Sequence, residues 1–218
     1  MINLENLEIE TNKVNIAGKI STKFSFDHEL FGEKFFRFNI ETDRFSGTVD
    51  TVPCLVSERI IDVQKDLTGT VVVIEGSIRT YNKYLPEKKS KLILNVFVKE
   101  IEFTDIEYNI NEVTLDAYIC KEPVYRKTPT GREIADVLLA VNRPYTKKSD
   151  YIPCITWGRN ARFISHLPLG TRIAIKGRLQ SRDYFKKISE DETVVKTTYE
   201  VSIGYIKTIN TPTAKEEN

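Results

Sequence analysis

The chain repeats itself once along its length. Residues 66–79 read DLTGTVVVIEGSIR, and residues 168–180 read PLGTRIAIKGRLQ. Other landmarks recur in the same order: Val14 with Val113, Gly32 with Gly131, Val52-Pro53-Cys54 with Ile152-Pro153-Cys154, Gly76 with Gly177, and Ile101 with Ile206. The offset grows in small steps, from 99 residues at Gly32/Gly131 to 105 at Ile101/Ile206, as loops absorb insertions. Two long copies make a duplicated domain, because a solenoid needs several short repeats. Each half must therefore fold the same way, and differences between the halves report gain or loss of function.

The 218 residues divide into two units of a common single-core size, and 40% hydrophobic residues suffice for two small cores. The net charge of +1 hides an asymmetry: residues 1–105 carry −3 and residues 106–218 carry +4. The second half is the candidate for an anionic partner. No run of about 18 apolar residues exists, so no membrane partner is expected. The start, MINLENLEIETN, lacks the basic and apolar regions of a secretory leader, so a cytoplasmic protein is expected.

Three cysteines at wide spacing and two histidines predict neither a metal site nor a disulfide framework. Cys54 and Cys154 fall at equivalent places in apolar segments and read as core residues. The chain has no GxxxxGK[ST] loop and no repeated carboxylate pair, and Glu190-Asp191-Glu192 reads as the tip of a solvated loop. No catalytic residues, cofactor or small-molecule substrate are expected, and the protein is not expected to be an enzyme.

The second half predicts a strand over residues 112–126, a Pro-Thr-Gly turn at 129–131 and a strand over 133–143. A polar loop at 146–150, a strand over 151–157 and a short helix over 159–167 follow. Long strands over 171–184 and 194–209 complete the unit, and the first half repeats it with a helix near 57–66. Five strands with one helix between the third and fourth is the layout of an OB-fold, a partly open barrel that binds oligonucleotides. The expected fold is all-β, two tandem OB-folds: residues 1–107, residues 108–210, and a short tail at 211–218.

Alternation in the long fourth strand gives the sharpest physical signal. Ile173, Ile175 and Leu179 share one face, while Arg172, Lys176, Arg178, Arg182 and Tyr184 share the other. A solvated strand face usually mixes charge signs, because like charges side by side repel. An all-cationic face predicts a compensating anion. The first copy has Val71, Glu75, Ser77, Tyr81 and Lys83 at the matching places, so the stripe is lost there.

Four segments of the second half, in order, resemble the bacterial single-stranded DNA-binding proteins. They are NEVTLDAYI (111–119), PTGREIADVLLAVNR (129–143), YIPCITWGRNARFISHLPLGTRIAIKGRLQSRDY (151–184) and TTYEVSIGYI (197–206). The first half resembles the family more faintly, as in its tandem-OB variants. The resemblance implies base stacking on Tyr145, Tyr151, Trp157 and Tyr184. Aromatic residues in strands otherwise read as core; the basic stripe and the resemblance favour stacking for Tyr151, Trp157 and Tyr184. The cations expected along phosphates are Arg126, Lys127, Arg143, Arg159, Arg172, Lys176, Arg178 and Arg182, with Arg159 and Lys127 the closest to ordinary surface charges.

In the first half the stacking positions align with Phe45 or Ser46, Thr51, Ser57 and Lys83. Arg79, Tyr81, Lys83 and Tyr84 form a weaker candidate set there, and Val71 with Val73 suggests a covered face. The resemblance implies sequence-tolerant binding of single-stranded DNA in replication, recombination or mobile-element transfer. It also implies a homodimer, since family members present four OB domains to the strand. The alternative is an OB-fold adapter or primosome-like subunit that holds proteins instead. Housekeeping members end in an acidic tip that recruits enzymes; the sequence ends in NTPTAKEEN, so enzyme partners are not expected.

Overall fold

The computed structural model describes residues 11–84, 90–106, 108–144, 146–187 and 193–209, the side chains of residues 186 and 187 excepted. The first half folds into β1 (Asn12–Ile20), β2 (Ser25–Leu30), β3 (Glu33–Asp43), β4 (Val49–Ser57), β5 (Val71–Tyr84) and β6 (Ser90–Phe103). The second half gives β7 (Asn111–Ile119), β8 (Val124–Lys127), β9 (Glu133–Asn142), β10 (Ser149–Trp157), α1 (Gly158–Ser165), β11 (Arg172–Lys187) and β12 (Thr193–Thr208). Gly32 and Gly131 turn β2 into β3 and β8 into β9 at φ of 76° and 78°, a conformation that costs a side chain but not glycine.

Each half closes on itself in the same order. In the first, β3, β4, β6, β5 and β1 are neighbours, and β1 returns to β3 through Lys19 opposite Glu41 and Ile20 opposite Ile40. In the second, β9, β10, β12, β11 and β7 follow suit, closed by Tyr118 opposite Ala140 and Ile119 opposite Leu139. The β4–β6 and β10–β12 pairs are parallel; the others are antiparallel. These are two OB-type barrels, each closed by a short seam. Alternating strand residues fill them: Val14, Ile16, Ile40, Val52, Ile74 and Val96 in one, Leu115, Leu139, Ile152, Ile175 and Val201 in the other. Burying such a side chain contributes about 1.5–3 kcal/mol. Cys54 and Cys154 lie in these cores as expected, and burial pushes both thiols up.

The barrels share one sheet because β1 pairs antiparallel with β7, with Val14 opposite Val113. These two are repeat equivalents, so a pseudo-twofold axis passes between them. The symmetry extends to side chains. Asn12 donates to the Ile78 carbonyl at 2.8 Å and accepts from its N–H at 2.9 Å; Asn111 does both with Leu179 at 2.8 Å.

Gly76 and Gly177 recur because a neighbouring strand passes too close for any side chain. A Cβ at Gly177 would lie 2.4 Å from the Ser202 carbonyl oxygen, and one at Gly76 would lie 2.3 Å from that of Phe97. Both contacts are to backbone beside an irregularity in the ladder, which cannot move without breaking it. Gly177→Ala is therefore expected to destabilise by about 3 kcal/mol or more. Gly170→Ala, strained by φ of 79° but open around its Cβ, is expected to cost less. Urea unfolding of the two variants checks the ranking.

Two expectations about elements fail. The strand over 112–126 is broken into β7 and β8, as β1 and β2 are separated at the matching place in the first half. The first half has no helix at 57–66. There the Asp62 and Asp66 carboxylates accept from the N–H groups of Gln64 and Thr68, local bonds that compete with a helical turn. Val71 and Val73 are half-buried rather than exposed.

Candidate nucleic-acid interface

Strand β10 ends at the barrel rim with its two terminal aromatics uncovered. Tyr151 and Trp157 remain 46% and 42% exposed, while Ile155 between them on the same strand is buried. Tyr184, on the extension of β11, is 38% exposed. None of the three is a core residue. Trp157 sits where β10 meets α1 and lines a shallow groove with Asn160, Gly177 and Arg178. Tyr184 lines a second groove, between the barrels, with Pro53, Pro153 and Arg37. Tyr145 lies outside the described residues.

The basic stripe of β11 does not stay on one surface, because the strand has three different neighbours along its length. From Arg172 to Gly177 it pairs with β7, and Arg172 forms a bidentate pair with Asp116 at 2.7 and 2.9 Å. Hydrogen bonding to Asp116 raises the Arg172 pKa. Arg172 and Lys176 thus lie on the outer face of the joined sheet, opposite the buried Ile173 and Ile175. From Arg178 to Ser181 the strand meets β4 of the first barrel. Beyond that it runs on as an arm paired with β12 alone, where Arg182 faces Glu200 at 3.4 Å. For Arg172, Arg178 and Arg182 the expected anionic compensation is supplied by the protein's own carboxylates.

Where the barrels meet, two fully inaccessible aspartates make the pseudo-symmetric contacts. Asp50 accepts from Arg44 of its own barrel at 2.5 and 2.8 Å, and from Arg178 at 3.1 Å and the Ser181 N–H at 2.7 Å of the other. Asp150 accepts from Arg143 at 2.7 and 2.8 Å, and from Arg79 at 3.0 Å and the Thr80 N–H at 2.7 Å. Burial pushes the Asp50 carboxyl up, but the Arg44 hydrogen bonds, the Ser181 N–H and the two guanidinium charges outweigh it and hold its pKa below the usual range. Arg143, Arg178 and Arg79 are therefore junction residues first. The same contact places an aromatic: the Tyr151 N–H donates to Thr80 Oγ1 at 2.8 Å, as Thr51 does to Ser181 Oγ at 3.1 Å.

Of the remaining cations, Arg126 pairs with Asp136 at 2.9 Å on the surface. Arg159, Lys127 and Lys176 are exposed, with no ion pair among the described residues. In the first half, Tyr81 and Tyr84 are exposed, Tyr81 at a groove of about 640 Å³ and Tyr84 near the end of β5. That groove is lined by residues the sequence reading passed over: His28, Phe35, Arg37 and Phe97. The signal was available in the run of aromatics in FSFDHELFGEKFFRF (24–38), which has no counterpart in the second half. Among the described residues no group of three or more His, Cys, Asp or Glu could hold a metal, and no helix is long and apolar enough to cross a membrane.

Comparisons with known proteins follow the same division. The single-strand binding protein family matches residues 110–207. Over 81 residues the chain is 40% identical to single-stranded DNA-binding protein A of Bacillus subtilis, covering 34% of this chain and 47% of that protein. Over 81 residues it is 38% identical to single-stranded DNA-binding protein 1 of Staphylococcus aureus, covering 34% and 48%. The chain thus spans about half the length of the curated relatives it matches. The solved single-stranded DNA binding protein of Thermus aquaticus covers 94% of this chain and 95% of its own, with a TM-score of 0.75 at 18% identity, a likeness of fold across both halves. The joined barrels are tandem OB-folds, and residues 110–207 match the model of the single-strand binding protein family.

Proposed function

We propose that the protein binds single-stranded DNA with little regard to sequence, and that it does so chiefly through residues 108–210. The observation that carries this is the exposure of Tyr151, Trp157 and Tyr184, large rings left half-uncovered on the barrel that matches the family. A ring offers every base the same π-face, so stacking is sequence-tolerant. Arg159 and Arg182, two residues along the chain from Trp157 and Tyr184, and Arg126 on β8 are the candidate phosphate contacts. Arg143 and Arg178 serve mainly by fixing the junction that positions Tyr151. Arg172 and Lys176 lie on the outer sheet face and are dropped from the contact set. Residues 1–107 act as the partner barrel, and the role is one of binding, in replication, recombination or mobile-element transfer in the cytoplasm.

Binding through phosphates must weaken with salt. For Z contacts, log K should fall against log salt with a slope of about −0.7Z. Titrating labelled oligothymidine at two salt concentrations checks this, with a hairpin duplex as competitor. Equal affinity for duplex and single strand, or no salt dependence, would overturn the proposal and favour a protein-holding adapter.

The protein is proposed to act as a homodimer presenting four barrels. Support comes from the outer face of the joined sheet, where half-buried Val71 and Val73 sit beside ion pairs that are already neutral, Lys13 with Glu75 and Arg172 with Asp116. Light scattering at micromolar concentration should return twice 25.1 kDa. The monomer mass would remove the dimer while leaving strand binding intact.

A further inference from the structure

We infer that the groove of the first barrel, with the free edge of β2 beside it, takes an extended segment of a partner protein in which apolar side chains alternate with carboxylates. The surface is separate from the exposed rings of the second barrel and does not depend on what they bind. β2 pairs with β3 alone and ends the joined sheet, so the N–H and C=O groups of its other edge have no ladder partner. The second barrel ends the same way in β8, but that strand is four residues long, carries Arg126 and Lys127 and lies between Pro123 and Pro129. Shortness, basic charge and proline all keep another strand from adding. β2 is six residues long, has no Lys, Arg or Pro, and leaves Phe26 and Leu30 exposed. Its carboxylates are Asp27, paired with Arg37, and Glu29.

The turn after β2 supplies a second observation. Phe31 is 96% exposed at φ 51°, and no other residue except glycine has a positive φ among the described residues. That conformation is unfavourable for a bulky side chain. An aromatic ring held fully in solvent on a strained backbone does nothing for the barrel itself, and both features point to a partner that covers it.

The lining of the groove favours a peptide over bases. Phe35 lies buried under His28, which stacks on it at 4.9 Å with planes within 12°. Leu30 and Leu55 complete an apolar lining in a groove of about 640 Å³. Phe35 thus has no open face for a base, whereas aliphatic walls suit the alternate side chains of an added strand. Arg37, Arg79, Lys83 and Arg143 line the same groove against Asp27 and Asp150. Lys83 is exposed with no ion pair among the described residues. The surplus is cationic, so the complementary segment is acidic.

Anisotropy of a labelled peptide of about nine residues, alternating Asp with Leu and Phe, tests this on the full chain. Its controls are the Lys-for-Asp counterpart and a version with Pro at the centre. The acidic peptide should bind with a Kd below about 1 mM and the controls at least about tenfold more weakly, because one repels the cations and the other cannot pair along an edge. Hydrogen exchange at β2 amides should slow when it binds. Phe31→Gly, which suits the positive φ and should leave stability unchanged or raised, should weaken the acidic peptide at least about threefold. Lys83→Glu, an exposed change that leaves packing alone, should do the same. No binding, equal binding of all three peptides, unchanged affinity in both variants, or exchange protection away from β2 would each overturn the inference. Oligothymidine that displaces the peptide and protects the same β2 amides would assign the groove to nucleic acid, and a smaller mass for Phe31→Gly in light scattering would assign the edge to a second copy; either result overturns it too. Trp157 emission with oligothymidine reports separately on the second barrel, so failure of either reading leaves the other standing.

Discussion

Asp50→Ala is expected to cost about 3–5 kcal/mol of stability, the usual loss when one member of a buried, hydrogen-bonded charge set is removed. Arg44 and Arg178 would face each other without the carboxylate between them, and the Ser181 N–H would lose its acceptor. Asp150→Ala removes the pseudo-symmetric set and should cost a similar amount. Urea unfolding of the two variants and the parent is the measurement. The acid limb gives a second handle. Because the folded-state pKa of Asp50 lies below its ordinary value of 3.8, its contribution is fully present above that value and is lost as pH falls through the lowered one. The variant should therefore show a shallower loss of stability in that window. If both variants unfold like the parent, the barrels are held by the β1–β7 ladder alone.

The second large effect is on affinity. Replacing Tyr151 and Tyr184 together by Ala should weaken oligothymidine binding by about 2–6 kcal/mol, from two stacks at about 1–3 kcal/mol each. Their rings are exposed, so melting temperature should change little. Replacing Tyr81 and Tyr84 together should cost less on a short strand, where the second barrel suffices. The reverse ranking would move the working surface to the first barrel.

The repeat made most of the fold legible. Val14 and Val113 align as equivalents in sequence and pair across the β1–β7 ladder. Cys54 and Cys154 were readable as core because the position recurs in both halves, while Gly76 and Gly177 were legible only as landmarks of the repeat. What sequence could not show was which neighbour a strand meets. The face carrying Arg172, Arg178 and Arg182 contains no acid of its own, yet Asp116, Asp50 and Glu200 reach it from three other strands. Asp50 lies 128 residues from Arg178, a pairing that depends on the barrels' mutual orientation. The missing helix at 57–66 turned on local carboxylate bonds that outcompeted a helix-compatible pattern. The first-barrel groove was passed over because its lining is completed only in space, where Phe97 of β6 joins the aromatic run of residues 24–38.

Trp157 is the only tryptophan, so its emission reports on the second barrel alone. Titrating oligothymidine while following that emission, with binding measured independently by anisotropy of a labelled strand, tests the central claim most directly. Stacking on an exposed indole predicts strong quenching in step with anisotropy, and Trp157→Ala should then lose about 1–3 kcal/mol of affinity at nearly unchanged melting temperature. Emission that stays constant while anisotropy saturates would show that the strand passes elsewhere, and would contradict the assignment of residues 108–210 as the principal binding surface.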